Sequence, residues 1–254
     1  MSQFPINIIA SAYDRLEEAH WNIHQMEQHY HESEPFRYSL NSFLRVIKEV
    51  PQILQMELQN KEGFTKWYKE RRQVTNNDPL ISYLFKARDI VVHKSMLKPK
   101  SSAYLGITEG RNGLKLGMGM KLDPFEDSDI LLLKFLFLTA KDQEVVDVFG
   151  ILGDDEESWP CIERHWGLDP YEEGILELAV QAWEQIASLV SDTVEWLGED
   201  PSKLHLSLNC MHSTSAVAIS HYNRKWIEIL EREIKTGAEF YDIRRRLYQL
   251  KHGM

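Results

Sequence analysis

The run Arg88-Asp89-Ile90-Val91-Val92-His93 places a guanidinium, a carboxylate and an imidazole close together in the chain. A guanidinium can grip two phosphate oxygens at once through its planar donors. An imidazole, whose ordinary pKa is about 6.5, can take or give a proton near neutrality. Asp89 lies four residues before His93, a helical spacing that lets a carboxylate orient the ring or stabilise its charged form. On an ideal helix the five residues between Arg88 and His93 turn through roughly 140°. A shared site therefore needs the arginine to curl round, the helix to end near His93, or a second subunit to complete it. The same spacing also fits an arginine paired with Asp89 or another acid, beside a surface histidine at a helix C-terminus, where the dipole favours a cation.

Other residues raise a metal reading. His20 and His24 are four apart, a spacing that can hold zinc, and His29 and His31 follow closely. Trp21 rather than Glu follows His20, so this is not the metalloprotease pattern. Cys161, His165, Cys210 and His212 form a second group, but their spacing fits no standard finger. The sequence reading assigns no metal and no cofactor. Arg244-Arg245-Arg246 reads as a solvated helix face. No Gly-x-Ser-x-Gly elbow, phosphate-binding loop or dinucleotide fingerprint occurs, which disfavours triad hydrolases and nucleoside triphosphatases.

The elements that position these groups follow from hydrophobic spacing. Ile9, Tyr13, Leu16, Ala19, Ile23, Met26 and Tyr30 fall in steps of three and four and predict a helix over residues 5–31. Ser33 and Pro35 open a second, whose stripe runs from Phe36 to Leu58 and which Pro51 should bend. A shorter amphipathic stretch carries Phe64, Trp67, Tyr68 and Arg71. Asp78 as cap and Pro79 as first helical residue then start a helix reaching His93 or Lys94. Arg88 sits on the flank of its apolar stripe, where a charge is costly unless it is paired or faces a cleft or another chain.

Beyond Lys98 the period changes. Leu114, Leu116, Met118, Met120 and Leu122 alternate with Lys and Gly, predicting a strand with a buried face, and Tyr104–Thr108 is its expected hairpin partner. Ile130–Leu138 fits a strand or a buried helix equally well. An acidic loop is expected at Gly153–Ser158, a long helix from Asp169-Pro170 to Leu197, an ambiguous stretch at Lys203–Leu208, and helices at 215–235 and 238–251. The expected organisation is one domain over residues 1–254: core helices at 1–97, a β insertion at 103–138, a bundle helix at 170–198 and a C-terminal extension at 203–254.

A chain of 254 residues, 43% of them hydrophobic, can bury a core. Two cysteines are too few for a disulfide scaffold, and no signal peptide or spanning segment is visible, so the cytoplasm and no membrane contact are expected. The net charge of −10 opposes broad nucleic-acid binding, but it is unevenly placed. Residues 1–100 hold 14 Lys/Arg against 12 Asp/Glu, and residues 101–254 hold 15 against 27. A polyanion is therefore repelled least by the first hundred residues, near Lys66, Lys69, Arg71 and Arg72, or Lys94, Lys98 and Lys100.

Phe36-Arg37-Tyr38-Ser39-Leu40-Asn41-Ser42-Phe43-Leu44-Arg45, then Trp67-Tyr68, Asn77-Asp78-Pro79-Leu80 and Ala87-Arg88-Asp89 with His93, resemble a bacterial branch of the HEPN superfamily, the higher-eukaryote and prokaryote nucleotide-binding helical domains. The resemblance covers roughly residues 8–95 and extends loosely to 197. It implies a mainly α fold, an antiparallel HEPN-like bundle with a small β insertion and extra C-terminal helices. It also implies a metal-independent endoribonuclease acting at a homodimer interface, in which Arg88, Asp89 and His93 match the three signature positions and are catalytic. Lys94, Lys98, Arg71 and Arg72 are the expected substrate-binding residues. Some branches keep the fold without the activity, and they imply instead a dimerisation or interaction protein that holds a protein or nucleotide partner.

Overall fold

A computed structural model describes residues 7–93, 97–109, 114–140, 158–204, 206 and 212–254. The described chain is mainly helical with a small four-stranded antiparallel sheet. Its helices are α1 (Ala10–Gln28), α2 (Ser33–Leu58), α3 (Phe64–Asn77), α4 (Pro79–His93), α5 (Ser128–Thr139), α6 (Ile175–Trp196), the short α7 (Thr214–Val217), α8 (Arg224–Lys235) and α9 (Phe240–His252). The strands are β1 (Lys100–Glu109), β2 (Leu114–Lys121), β3 (Ser158–Gly167) and β4 (Ile219–His221). Among the described residues no helix is long and apolar enough to cross a membrane.

The chain forms two compact units. The first takes the described residues within 1–29, 35–98 and 170–214. It is built on the stripes read above: Leu16, Ala19, Ile23 and Met26 of α1, Phe43, Leu44, Ile47 and Leu54 of α2, and Ile186, Val190 and Val194 of α6 are all buried. Burying such faces supplies most of the stability of helices that would be marginal alone. Trp183 ties α6 to α1 by donating its indole N–H to the Leu16 carbonyl at 2.9 Å. Phe64 and Trp67 of α3 pack against Trp196 with ring centroids 5.2 and 5.5 Å away. Asp78 closes α3 and caps α4, accepting from the Ile81 N–H at 2.9 Å, as the Asp-Pro pair predicts. The helix α2 runs through Pro51, whose carbonyl accepts the buried Tyr68 hydroxyl.

The second unit takes the described residues within 30–34, 99–169 and 215–254. Its strands are ordered β2-β1-β3-β4. Ala103 and Leu105 of β1 and Ile162 of β3 pack with Leu131, Leu132 and Leu136 of α5, Leu230 of α8 and Ile243 of α9. The expected hairpin is present: Tyr104 pairs with Gly119 and Ala103 with Met120. Gly119 gives the Tyr104 ring its room, since a Cβ there would come within 2.6 Å of it.

Several expectations are corrected. Helix α1 ends at Gln28 and not 31, because residues 29 and 30 turn the chain toward α2. The ambiguous stretch at Ile130–Leu138 is helical: Ile130, Leu131, Leu132, Leu133 and Leu136 are all buried, which hides any amphipathic period. Strand β3 escaped notice because it does not alternate cleanly and contains Pro160, which lacks a ladder N–H. The predicted helix over 215–235 is broken by β4, which adds to β3 through the pairs Cys161 with His221 and Glu163 with Ile219. The bundle helix starts at Ile175, five residues beyond Pro170, with Gly174 as cap. Met118, expected in the core, is 54% exposed on β2, which is an edge strand among the described residues. The hairpin turn 110–113, the acidic residues 153–157 and parts of 203–208 lie outside the described residues.

Candidate functional site

Arg88 and His93 meet. The Arg88 side chain curls along α4 until its Nη1 stands 3.5 Å from His93 Nε2, closing the 140° that separates the two positions on the helix. The same Nη1 lies 3.3 Å from Asp89 Oδ1. Lys48, reaching across from α2, donates to that oxygen at 2.6 Å and to the Phe85 carbonyl at 3.3 Å. The hydrogen bond from Lys48, followed by Arg88, holds the Asp89 carboxyl below its ordinary range. Arg88 is only 20% exposed, and its Nε is buried with no hydrogen-bond partner among the described residues. His93 is exposed at the last turn of α4.

One expected contact differs. Asp89 engages Lys48 and Arg88, and it is Arg88 that approaches the imidazole. The i, i+4 geometry permits the Asp89 to His93 contact, but Lys48 and Arg88 both attract the same carboxylate oxygen. Lys48 is the member that the sequence reading missed. It lies beside the α2 stripe with nothing local to mark it.

Among the described residues, two of the expected substrate-binding residues, Arg71 and Arg72, engage other partners. Arg71 sits on α3 with Nη1 3.6 Å from Asp192. Arg72, also on α3, donates to Gln55 at 2.8 Å and lines a cavity of about 560 Å³ with Tyr68, Lys69, Gln73 and Asn76. Lys98 is exposed beyond the end of α4, and Lys94 lies outside the described residues.

A second cluster forms in the first unit around α1. His20 and His24, one turn apart, are joined by His212, with all three ring-nitrogen ligand atoms within 4.8 Å of one another. His212 is only 3% exposed at its side chain, and its Nδ1 lies 2.7 Å from Glu27 Oε2. Its Nε2 is 3.4 Å from His20 Nε2. His20 stacks on Trp183 at 4.8 Å between ring centroids. Burial first, then the neighbouring His24 and His212, lowers the His20 pKa to about 4, and burial likewise lowers that of His24. The segment bearing His212 is pinned two residues on, where the Thr214 N–H donates to Glu177 Oε1 at 2.7 Å and its hydroxyl to Glu177 Oε2. Gly174 leaves the space for this clasp: a Cβ there would overlap Glu177 Oε2 and come within 2.6 Å of Thr214 Oγ1.

The two sequence groupings of possible metal ligands are thus redistributed. His212 joins His20 and His24. Cys161 and His165 lie on β3 in the second unit, with Cys161 buried and its thiol pushed up to about 12, and with His165 Nε2 3.1 Å from Glu163. Cys210 lies outside the described residues. The three arginines of α9 are paired within their own unit, Arg244 with Asp127, Arg245 with Asp242 and Arg246 with Glu233.

No curated protein and no solved structure matches the chain. The bacteriophage lambda protein ea47 family matches residues 5–218. That span contains both clusters, from His20 through Arg88 and His93 to His212, and by it the chain belongs to the bacteriophage lambda protein ea47 family.

Proposed function

We propose that the first unit is a HEPN-like helical bundle and that the protein is a metal-independent endoribonuclease working as a homodimer, with Arg88 and His93 as its reacting pair. The observation that carries this reading is the 3.5 Å approach of Arg88 Nη1 to His93 Nε2. It puts a phosphate-gripping fork beside a group able to move protons, on the accessible end of a helix. The ribose 2′-OH attacks the adjacent phosphorus, the bond to the 5′ oxygen breaks, and the products end in a 2′,3′-cyclic phosphate and a 5′-OH. His93 takes the 2′-OH proton or supplies one to the leaving oxygen, and a second copy of the chain supplies the other histidine. Arg88 stabilises the charge that builds on the phosphoryl oxygens. Asp89, held by Lys48, sets the direction of the guanidinium.

The test is RNA cleavage by the purified full chain in EDTA. The native chain is expected to yield cyclic-phosphate ends, and His93→Ala and Arg88→Lys to lose at least about 100-fold in rate while keeping their circular dichroism. Equal cleavage by His93→Ala would refute the assignment. The second reading, a catalytically silent interaction protein, draws on the tight ion pair between Lys48 and Asp89 and on the surplus of Asp/Glu after residue 100. No cleavage of any RNA by the native chain, with a stable complex isolated with a protein or nucleotide partner, would establish it.

A further inference from the structure

We propose that His20, His24 and His212 form a zinc site, with Glu27 as the carboxylate that orients His212 and a fourth position left to solvent or an exogenous ligand. The site is independent of the Arg88 and His93 cluster and of the activity proposed for it.

The chemistry starts from the tautomer of His212. An ionised carboxylate can only accept a hydrogen bond, so the 2.7 Å contact with Glu27 places the proton of His212 on Nδ1. In the neutral ring that tautomer leaves the lone pair on Nε2, the nitrogen that faces His20 Nε2. This is the carboxylate–histidine arrangement that fixes ring orientation and raises the basicity of metal-bound imidazoles.

The spacing fits the same ion. Zn–N bonds of about 2.0–2.1 Å at tetrahedral angles put two ligand nitrogens about 3.3–3.4 Å apart. His20 Nε2 and His212 Nε2 stand 3.4 Å apart, long for an N–H···N hydrogen bond and equal to that tetrahedral edge. His24, whose ring centroid is 4.3 Å from that of His212, offers the third nitrogen within 4.8 Å of the other two. Three imidazoles select a borderline ion such as zinc over magnesium or calcium, which prefer oxygen.

The site is also built and not a chance meeting of surface side chains. Trp183 backs His20, Glu27 holds His212, and the clasp of Glu177 on Thr214 fixes the backbone just after His212. Bound zinc would tie α1 to a segment that is more than 180 residues distant in sequence, since His20 and His212 are 192 apart.

The experiment uses the full chain stripped with a chelator and then titrated with zinc alone, or with cobalt(II) as a coloured substitute. The expected result is one zinc per chain, a visible cobalt spectrum of four-coordinate type and a zinc-dependent rise in Tm. His24→Ala, which removes an exposed ring and spares the core, is expected to weaken zinc binding at least about 100-fold, and His212→Ala to abolish the cobalt spectrum. Glu27→Gln is expected to weaken binding about 10- to 100-fold without removing any ligand. Zinc uptake that is absent at micromolar concentrations, or that is the same in the native chain and in His24→Ala and Glu27→Gln, would overturn the proposal.

Discussion

His31 should make the second unit sensitive to mild acid. Its Nε2 lies 2.9 Å from the Val217 carbonyl, which can only accept, so the ring carries its proton there. Its Nδ1 then accepts from the Ser128 hydroxyl at 2.8 Å. A second proton would force Ser128 to reverse its donor and would place a charge near Arg164, whose Nη1 lies 3.5 Å from the same hydroxyl. Burial, opposed by the bond to Val217 and reinforced by the Arg164 charge, lowers the His31 pKa to about 4. The unfolded chain protonates this residue below about pH 6.5, while the native fold refuses the proton until about pH 4. At about 1.4 kcal/mol per pH unit, that interval corresponds to a loss on the order of 3 kcal/mol. The penalty is nil above about pH 6.5 and reaches its full size near pH 4. Denaturant unfolding measured across that range, for the native chain and for His31→Gln, isolates the effect. The variant keeps a donor toward Val217 but cannot titrate, so the difference between the two stability curves should shrink by roughly that amount on acidification. A difference that stays flat, or a His31 ring signal titrating near 6.5 by NMR, would show that the buried neutral imidazole is not what this fold contains.

Three further outcomes follow from the same geometry. Gly174→Ala should destabilise the first unit by about 1–3 kcal/mol, because the new methyl collides with the Glu177–Thr214 clasp; unfolding midpoints equal to the native chain's would contradict this. Lys48→Met should cost no more than about 1 kcal/mol of stability, its partner Asp89 being half exposed. Under the proposed activity it should nonetheless slow RNA cleavage about tenfold at saturating RNA by letting Arg88 swing away, and an unchanged rate would remove Asp89 from the site. In a Cys210→Ser chain, Cys161 should resist a disulfide reagent until the protein unfolds, since its thiol is fully buried and pushed up to about 12; rapid labelling of the native chain would disprove that burial.

Local pattern made much of this protein readable. The stripes of α1, α2 and α6 named the residues that are buried, because a helix repeats its faces every 3.6 residues whatever surrounds it. Asp78-Pro79 marked the start of α4 by capping chemistry confined to a few residues. Alternation likewise found the β1–β2 hairpin. These signals are carried by near neighbours and need no tertiary partner. Where that partner decides, the pattern failed. Ile130–Leu138 is buried on too many sides to show a period, β4 is a strand only because β3 offers it an edge, and Met118 is exposed on β2, which has no further strand beside it among the described residues. The candidate sites divide the same way. Sequence alone placed Arg88 near His93 and His20 near His24, within one or two turns of a helix. Only packing brought Lys48 to Asp89 across 41 residues and His212 to His20 across 192. Side chains so far apart in the chain meet when the burial of apolar faces brings their helices together, and no spacing rule encodes that distance.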